Sequence, residues 1–439
     1  MTSSQMMLFG GGPPPVTYTA LVAALYQSGK SMPPAGIAAS GTSLYVTTQN
    51  NTDFTIPVVK LTSAGAITWQ RVLSLSGATD VRGYGSDLIA ENCAADSSGN
   101  VYVVGGFESA GVINGFLVKY NTSGTIQWQR KILAASNTSV NNLRVAIDSA
   151  GSNVYVIATW VKSSASASAL LAYNSSGTLQ WQRMLFTGGF NNVQSSAVAV
   201  DTSGNIFVGG SDQVAYPTAS AFVVKYNSSG TLQWQQYIRG GSPNVNYMAF
   251  DSSGNIFCSG TPRTFKLNSS GTVQWGFTYS SGSVSAQGIA VDPTTGDFWG
   301  VYDDGNLTVT FNKFNTSGSN TATNNIGLAS CFASIIAGGC FSDTGLYAFT
   351  KGIFSNANSV YTAGVWILPT TMVNTGPASR SLTYWTQSTY TAGTASTTTS
   401  AGLTSGANSI TDAAGTFVDS AGAFTDSAGA LSVTASTWT

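Results

Sequence analysis

The chain repeats itself, and that constrains its fold more than any other feature. The phrase Tyr-Asn-Ser/Thr-Ser-Gly-Thr-Ile/Leu-Gln-Trp-Gln occurs at Tyr120–Gln129, Tyr173–Gln182 and Tyr226–Gln235, with weaker copies at Leu61–Gln70 and Leu267–Gly276. Their tryptophans, Trp69, Trp128, Trp181, Trp234 and Trp275, stand 59, 53, 53 and 41 residues apart. A recurrence on this scale marks a repeat architecture. Upstream of each lies a partner phrase: Cys93–Val103, Val198–Val208 and Met248–Cys258, each built around Asp-Ser/Thr-Ser-Gly-Asn. Variants occur at Val145–Val156 and Ile289–Trp299, and degenerate copies at Ile37–Val46 and Cys340–Phe349, which makes seven units.

Both phrases read as hairpins. Runs of Val, Ile, Phe, Tyr and Trp flank short Asx-Ser-Ser-Gly turns, the strand–turn–strand pattern. Gly supplies a positive φ there, and the Asx side chain bonds its own backbone. Two hairpins per unit give four strands in about 50 residues, the size of a propeller blade. The predicted fold is all-β: a seven-bladed β-propeller over residues 17–389, with an extended N-terminal arm and a repetitive β-like C-terminal tail. The more apolar Asp-turn hairpin is expected nearest the axis and the Trp hairpin outside it. Alternation places Trp128 and Arg130 on one face and Gln127 and Gln129 on the other, with Trp packed between neighbouring blades. Trp128, Trp181 and Trp234 recur in register, as packing residues do and a unique binding site does not. The last blade is expected to take its outer strand from Ser381–Gln387, with Trp385 in the tryptophan position. The sixth, near Phe311–Ile326, lacks that Trp.

At these residues the chain resembles bacterial β-propeller repeat families. Asp96-Ser-Ser-Gly-Asn-Val-Tyr-Val103 is similar to the SBBP-type repeat. Gly followed four residues later by Trp (Gly124 and Trp128, Gly177 and Trp181, Gly230 and Trp234) resembles the pyrroloquinoline-quinone-like repeat. These resemblances imply a fold and not a function, because propellers host unrelated activities. The stretch Met6-Met-Leu-Phe-Gly-Gly-Gly-Pro-Pro-Pro15 resembles the N-termini of phage tail and fibre proteins.

Composition narrows the function. Charged residues are 8% of the chain, against roughly 25% in an ordinary domain. The surface must therefore be built from Ser, Thr, Asn, Gln and Gly. A net charge of −1 offers no electrostatic footprint for nucleic acid or an anionic membrane. The first basic residue is Lys30, so no charged segment precedes an apolar one, and Ala20–Tyr26 is too short to cross a bilayer. Neither secretion through the general pathway nor membrane insertion is expected. Asn121, Asn174, Asn227, Asn268 and Asn315 all lie in Asn-x-Ser sequons, which read as turn chemistry because the same Asn recurs in every turn.

Catalytic groups are scarce. There is no His, and the Glu are Glu91 and Glu108. That removes the commonest general base and transition-metal ligand. A sialidase Asp-box does not fit, since Trp follows Gly by four residues and Ser228 holds the Asp position. Asp303-Asp304 is the adjacent acidic pair that a calcium-bound quinone would need, and it reads as a solvated loop. The Asp-Ser-Ser-Gly-Asn turns echo a calcium loop without its bidentate Glu. Cys93 and Cys258 occupy strand positions held by Val or Met in sister repeats and read as buried thiols, whereas Cys331 and Cys340 leave a disulfide open. No enzyme activity, metal or cofactor is expected.

The two ends differ from the repeats. Residues 1–16 read as an arm whose Met6, Met7, Leu8 and Phe9 insert into a neighbouring protein. Residues 390–409 read as a Thr/Ser/Gly-rich linker. Residues 410–439 hold a seven-residue repeat, Thr411–Phe417, Val418–Phe424 and Thr425–Leu431. Ile410, Phe417, Phe424 and Leu431 then form an apolar row in need of a partner surface. One apolar residue and a Gly per heptad cannot make a coiled-coil seam. The tail reads as minimal strand–turn units, ordered against neighbouring chains. The expected function is a structural component of a phage virion (tail fibre, tail tip or capsid decoration), assembled in the host cytoplasm and released by lysis. It would act in assembly or host-surface adhesion, with other virion proteins, copies of itself or a host-surface glycan or protein as partners. A bacterial surface propeller binding glycans or proteins is the alternative, and a propeller enzyme comes third.

Overall fold

The structure is a computed structural model. It describes residues 20–26, 33–49, 55–63 and 65–369, with connections 76–79, 83–92, 110–111, 134–138, 163–164, 187–192, 213–219, 240–243, 261–262, 280–284, 304–307, 328–330, 342–345 and 356–359 outside the description. Tail segments 385–386, 404–407, 411–412, 415–416, 418–421, 424–428 and 432–438 are also described. Every element among the described residues is a strand.

Six antiparallel sheets follow in chain order, over residues 34–75, 80–133, 139–186, 193–239, 247–279 and 285–327. In the fourth, Val193–Val200, Ile206–Asp212, Ser220–Tyr226 and Leu232–Arg239 lie side by side in sequence order. Each sheet is a meander because its turns are too short for any crossover. The Asp turn joins the first two strands: Gly99 N–H donates to Asp96 O (2.9 Å), and Gly204 N–H to Asp201 O (3.0 Å). The Asn turn joins the last two, with Gly177 N–H on Asn174 O at 2.9 Å. The first strands of successive sheets touch one another, which puts the Asp-turn hairpins innermost.

A further, composite sheet lies against the first and the sixth. Cys331–Phe341, Leu346–Ser355 and Val360–Pro369 form three strands, and the fourth is Ala20–Tyr26 from the other end of the chain. Leu21 pairs with Ile367 and Leu25 with Ala363. Cys331–Phe341 touches both Pro34–Ser40 of the first sheet and Ser285–Val291 of the sixth. The expected closure through Ser381–Gln387 is thus corrected. Trp385–Thr386 pairs instead with Thr278 and Tyr279 on the outer edge of the fifth sheet. The physical reason is that the run Ala20–Tyr26 is itself a continuous apolar strand, which suits a sheet that neighbours on both sides must cover. The disulfide left open is also excluded. Cys331 and Cys340 lie nine positions apart on one strand, and at about 3.3 Å per residue that far exceeds bridging distance.

The tail pairs with this chain's own ring. Ser432–Trp438 lies on Ala20–Tyr26, Phe424–Ala428 on the first sheet, Val418–Ala421 on the second and Thr404–Ala407 on the third. Ordering only against neighbouring chains was therefore the wrong expectation. A ring leaves each sheet an outer edge with unpaired main-chain groups, and the tail fills such edges. The linker 390–409 correspondingly contains a strand. Of the proposed anchor residues, Phe424 opens a tail strand opposite Leu75. Met6, Met7, Leu8, Phe9, Ile410, Phe417 and Leu431 lie outside the described residues.

The core lies between sheets. Tyr102, Val104, Leu117 and Ile132 of the second sheet pack against Val145, Val156, Trp160 and Leu171 of the third. Cys93 and Cys258 are buried in such layers, at 2% and 0% exposure, which matches the sequence reading. Deleting residues 1–26 removes the fourth strand of the composite sheet. The expected outcome is loss of the cooperative thermal transition, read by circular dichroism. An unchanged melting curve would refute closure by this strand.

Candidate functional site

The repeated phrase places its tryptophan against the next sheet. The carbonyl of Thr122 accepts the Trp69 Nε1–H at 2.9 Å, that of Ser175 accepts Trp128 at 2.9 Å, that of Ser228 accepts Trp181 at 3.1 Å, and that of Thr316 accepts Trp275 at 3.0 Å. The indole lies flat on the turn glycine. A Cβ built on Gly177 would stand 2.7 Å from the Trp128 ring, and one on Gly230 2.9 Å from Trp181. These glycines also have φ of 76° and 75°, so the position demands glycine twice over.

Cations complete these clasps: an Arg and a Lys at Trp69 and at Trp128, Arg183 at Trp181 and Lys266 at Trp275. Arg71, Arg130 and Arg183, two residues after their Trp, donate Nε–H to the carbonyls of Gly124, Gly177 and Gly230 at 2.7, 2.6 and 2.7 Å. Their guanidinium carbons sit 5.8, 5.6 and 5.2 Å from the centroids of their own Trp rings. Each contact of this type contributes about 0.5–1 kcal/mol at exposed sites and more when desolvated. Lys60, Lys119 and Lys266 reach the same turns, on Thr122, Ser175 and Thr316. Their Nζ atoms lie over the rings of Tyr45, Tyr102 and Phe257.

Two seams depart from the pattern. Trp234 lies on Gly271, but Gln236 replaces the Arg and bonds its own neighbour's carbonyl, Tyr237 O, at 3.1 Å. Trp234 Nε1 is buried without an acceptor among the described residues. After Trp275 the Arg position is Phe277, whose ring stacks on that Trp at 5.7 Å and 4°.

The acidic and amide groups serve turns. Asp96 Oδ1 accepts Asn100 N–H (2.9 Å) and Oδ2 accepts Asn100 Nδ2–H (2.8 Å); Asp201 and Asp251 repeat the arrangement with Asn205 and Asn255. The sequon residues behave as turn formers: Asn174 Oδ1 accepts the N–H of Ser176 and Thr178 at 3.1 and 2.9 Å. Asp303 ends a strand opposite Val309, and Asp304 lies outside the described residues. Among the described residues no group of three His, Cys, Asp or Glu converges on a metal position. Burial pushes the Cys258 thiol well above its usual range.

Sequence reasoning found the Trp row and both turns. It missed the Arg and Lys partners, although both recur at fixed offsets from Trp. It also missed Arg144, buried on an innermost strand at the position that Ala197 and Tyr247 hold in other repeats. A bulge between Asn141 and Arg144 carries Asn142 at φ 52° there, and Arg144 donates Nη1–H to Leu143 O at 2.9 Å.

No protein-family model matches the chain, and no curated protein does. Solved structures do. A chain of the mitotic checkpoint complex crystal structure is 11% identical with a TM-score of 0.50, over 84% of this chain and 99% of that one. A quinoprotein alcohol dehydrogenase-like protein from Bacteroides thetaiotaomicron is 12% identical, with a TM-score of 0.40 over 69% and 67%. A gluconolactonase from Xanthomonas campestris is 12% identical, with a TM-score of 0.36 over 68% and 90%. At such identities the likeness concerns fold alone. With the ring of meander sheets, the chain has a β-propeller-type fold, and its repeats are propeller repeats.

Two measurements test this site. Gly177→Ala and Gly204→Ala change glycines of nearly equal φ (76° and 78°), but nothing lies within 4 Å of a Cβ at Gly204. Gly177→Ala should cost about 1–3 kcal/mol more in denaturant unfolding, the usual range for overpacking. Equal costs would remove the clasp. The second concerns pH. Burial, and then the Asp96 charge, push the Tyr45 phenol up to about 12, against a hydrogen bond from Ser43; burial and Asp148 do the same for Tyr155. A raised phenol pKa favours the neutral, folded form. The stability these groups contribute is therefore intact below pH 10 and lost as pH rises through about 12. Phenolate absorbance from them should appear together with alkaline unfolding. Titration of all 18 tyrosines near pH 10 in folded protein would contradict this.

Proposed function

We propose that this chain is a non-catalytic structural propeller of a phage particle, acting in assembly or host-surface adhesion. The observation that carries the reading is where the recurring polar side chains go. Recurring Arg, Lys, Asp and Asn side chains bond a turn of their own or the next sheet, as Arg130, Lys119, Asp96 and Asn174 do. Side chains held this way make a stiff scaffold and no convergent reaction centre. We infer seven blades: the six sheets in chain order and the composite sheet that touches the first and the sixth.

A surface of uncharged hydroxyl and amide groups supports a particle protein, as does the resemblance of Met6–Pro15 to phage tail and fibre N-termini. In this reading Met6, Met7, Leu8 and Phe9 anchor the arm in a neighbouring virion protein. The working protein then needs neither metal nor cofactor.

The test is particle incorporation. Purified particles should contain the full chain in fixed stoichiometry, measured by quantitative mass spectrometry. A chain lacking residues 1–16 keeps its closing strand and should fold, yet be absent from particles. Incorporation of the truncated chain at full copy number would overturn the arm. Recovery of the native protein from bacterial envelopes and not from particles would favour the surface propeller.

A further inference from the structure

The tail strands that join the ring follow it in order, while the first seven-residue repeat pairs Thr411–Asp412 with Gly415–Thr416. Leaving the fifth sheet at Trp385–Thr386, the chain adds Thr404–Ala407 to the third sheet, Val418–Ala421 to the second, Phe424–Ala428 to the first and Ser432–Trp438 to the composite sheet. That is the reverse of chain order. From the second sheet onward each new strand begins six or eight residues after the last. Seven extended residues span at most about 25 Å, enough for a short strand and a step to the next sheet.

Strand addition reads the main chain and tolerates varied side chains. This is why Val-Asp-Ser-Ala and Phe-Thr-Asp-Ser-Ala can add to Arg130–Leu133 and to Arg71–Leu75 respectively. Its last strand is the longest of the set, with seven register pairs along Ala20–Tyr26. That partner is the strand that closes the ring and is held on its other edge by Val360–Pro369.

We propose that the C-terminal tail is a belt that covers outer edges of the ring and locks its closing strand in place. Ring opening by withdrawal of Ala20–Tyr26 then requires the belt's end to leave first. The belt shields sheet edges that are otherwise templates for pairing with other chains.

Hydrogen exchange of the full-length protein, resolved by fragment mass spectrometry, tests this. Arg71–Leu75 and Arg130–Leu133 carry a belt strand. Leu232–Arg239 and Asn320–Gly327 are outer strands with no fifth strand among the described residues. The outward-facing amides of the belted strands should exchange at least tenfold more slowly than those of the unbelted ones, since a lost ladder bond leaves an amide to local opening. Ser420→Pro and Ser427→Pro should abolish that difference in the second and first sheets respectively, while inner strands such as Ile206–Asp212 stay protected. Removing residues 432–439 should speed exchange of Ala20–Tyr26 by a similar factor. Equal exchange on belted and unbelted strands would overturn the proposal. So would protection that falls on dilution, which would make the donor a second copy.

Discussion

Five seams of this ring, among the described residues, rest on one contact, an indole laid on the glycine of the next sheet's turn. A tryptophan can approach a backbone that closely only where no Cβ stands in the way. The Asx turn supplies such a glycine at positive φ and also points its carbonyls toward the neighbour. The indole N–H, the arginine and the lysine then find acceptors without any further loop. Sheet geometry, turn type and interface are therefore one requirement and not three.

This coupling explains what the sequence made legible. Trp128, Trp181 and Trp234 recur because the clasp recurs, and Gly177 and Gly230 recur because their partners do. Strand order, the inner and outer hairpins and the buried Cys93 and Cys258 all follow from the same register. The closing strand was hidden because it obeys no repeat. Ala20–Tyr26 is an apolar run without a turn phrase, and its partners are more than 300 residues away in sequence. Trp385 misled for the opposite reason, since its strand pairs with Tyr279 of the fifth sheet and lies outside the repeat register. The tail was half legible: its strand–turn character showed in Asp-Ser-Ala-Gly-Ala, but the surface that receives it is main chain and leaves no side-chain signature.

The same economy shapes the reading of function. Where Arg130 and Arg183 are tied to turn carbonyls, and Asp201 and Asp251 to their own Asn partners, repetition produces rigidity. Arg144, the Gln236 seam and the segments outside the ring are where this chain differs from an ideal propeller of its own consensus.

The pairing of the two terminal strands has a mechanical meaning. Ala20 lies opposite Trp438, and Tyr26 opposite Ser432, so whatever precedes the one and whatever follows the other depart from the same corner of the same sheet. A load that pulls these two connections apart meets their ladder end-on and opens it bond by bond, as a zipper opens. A load on the preceding segment alone meets Ala20–Tyr26 lengthwise, flanked by strands on both sides, and must slide all of its bonds at once. The same joint is therefore weak to splitting and strong to traction.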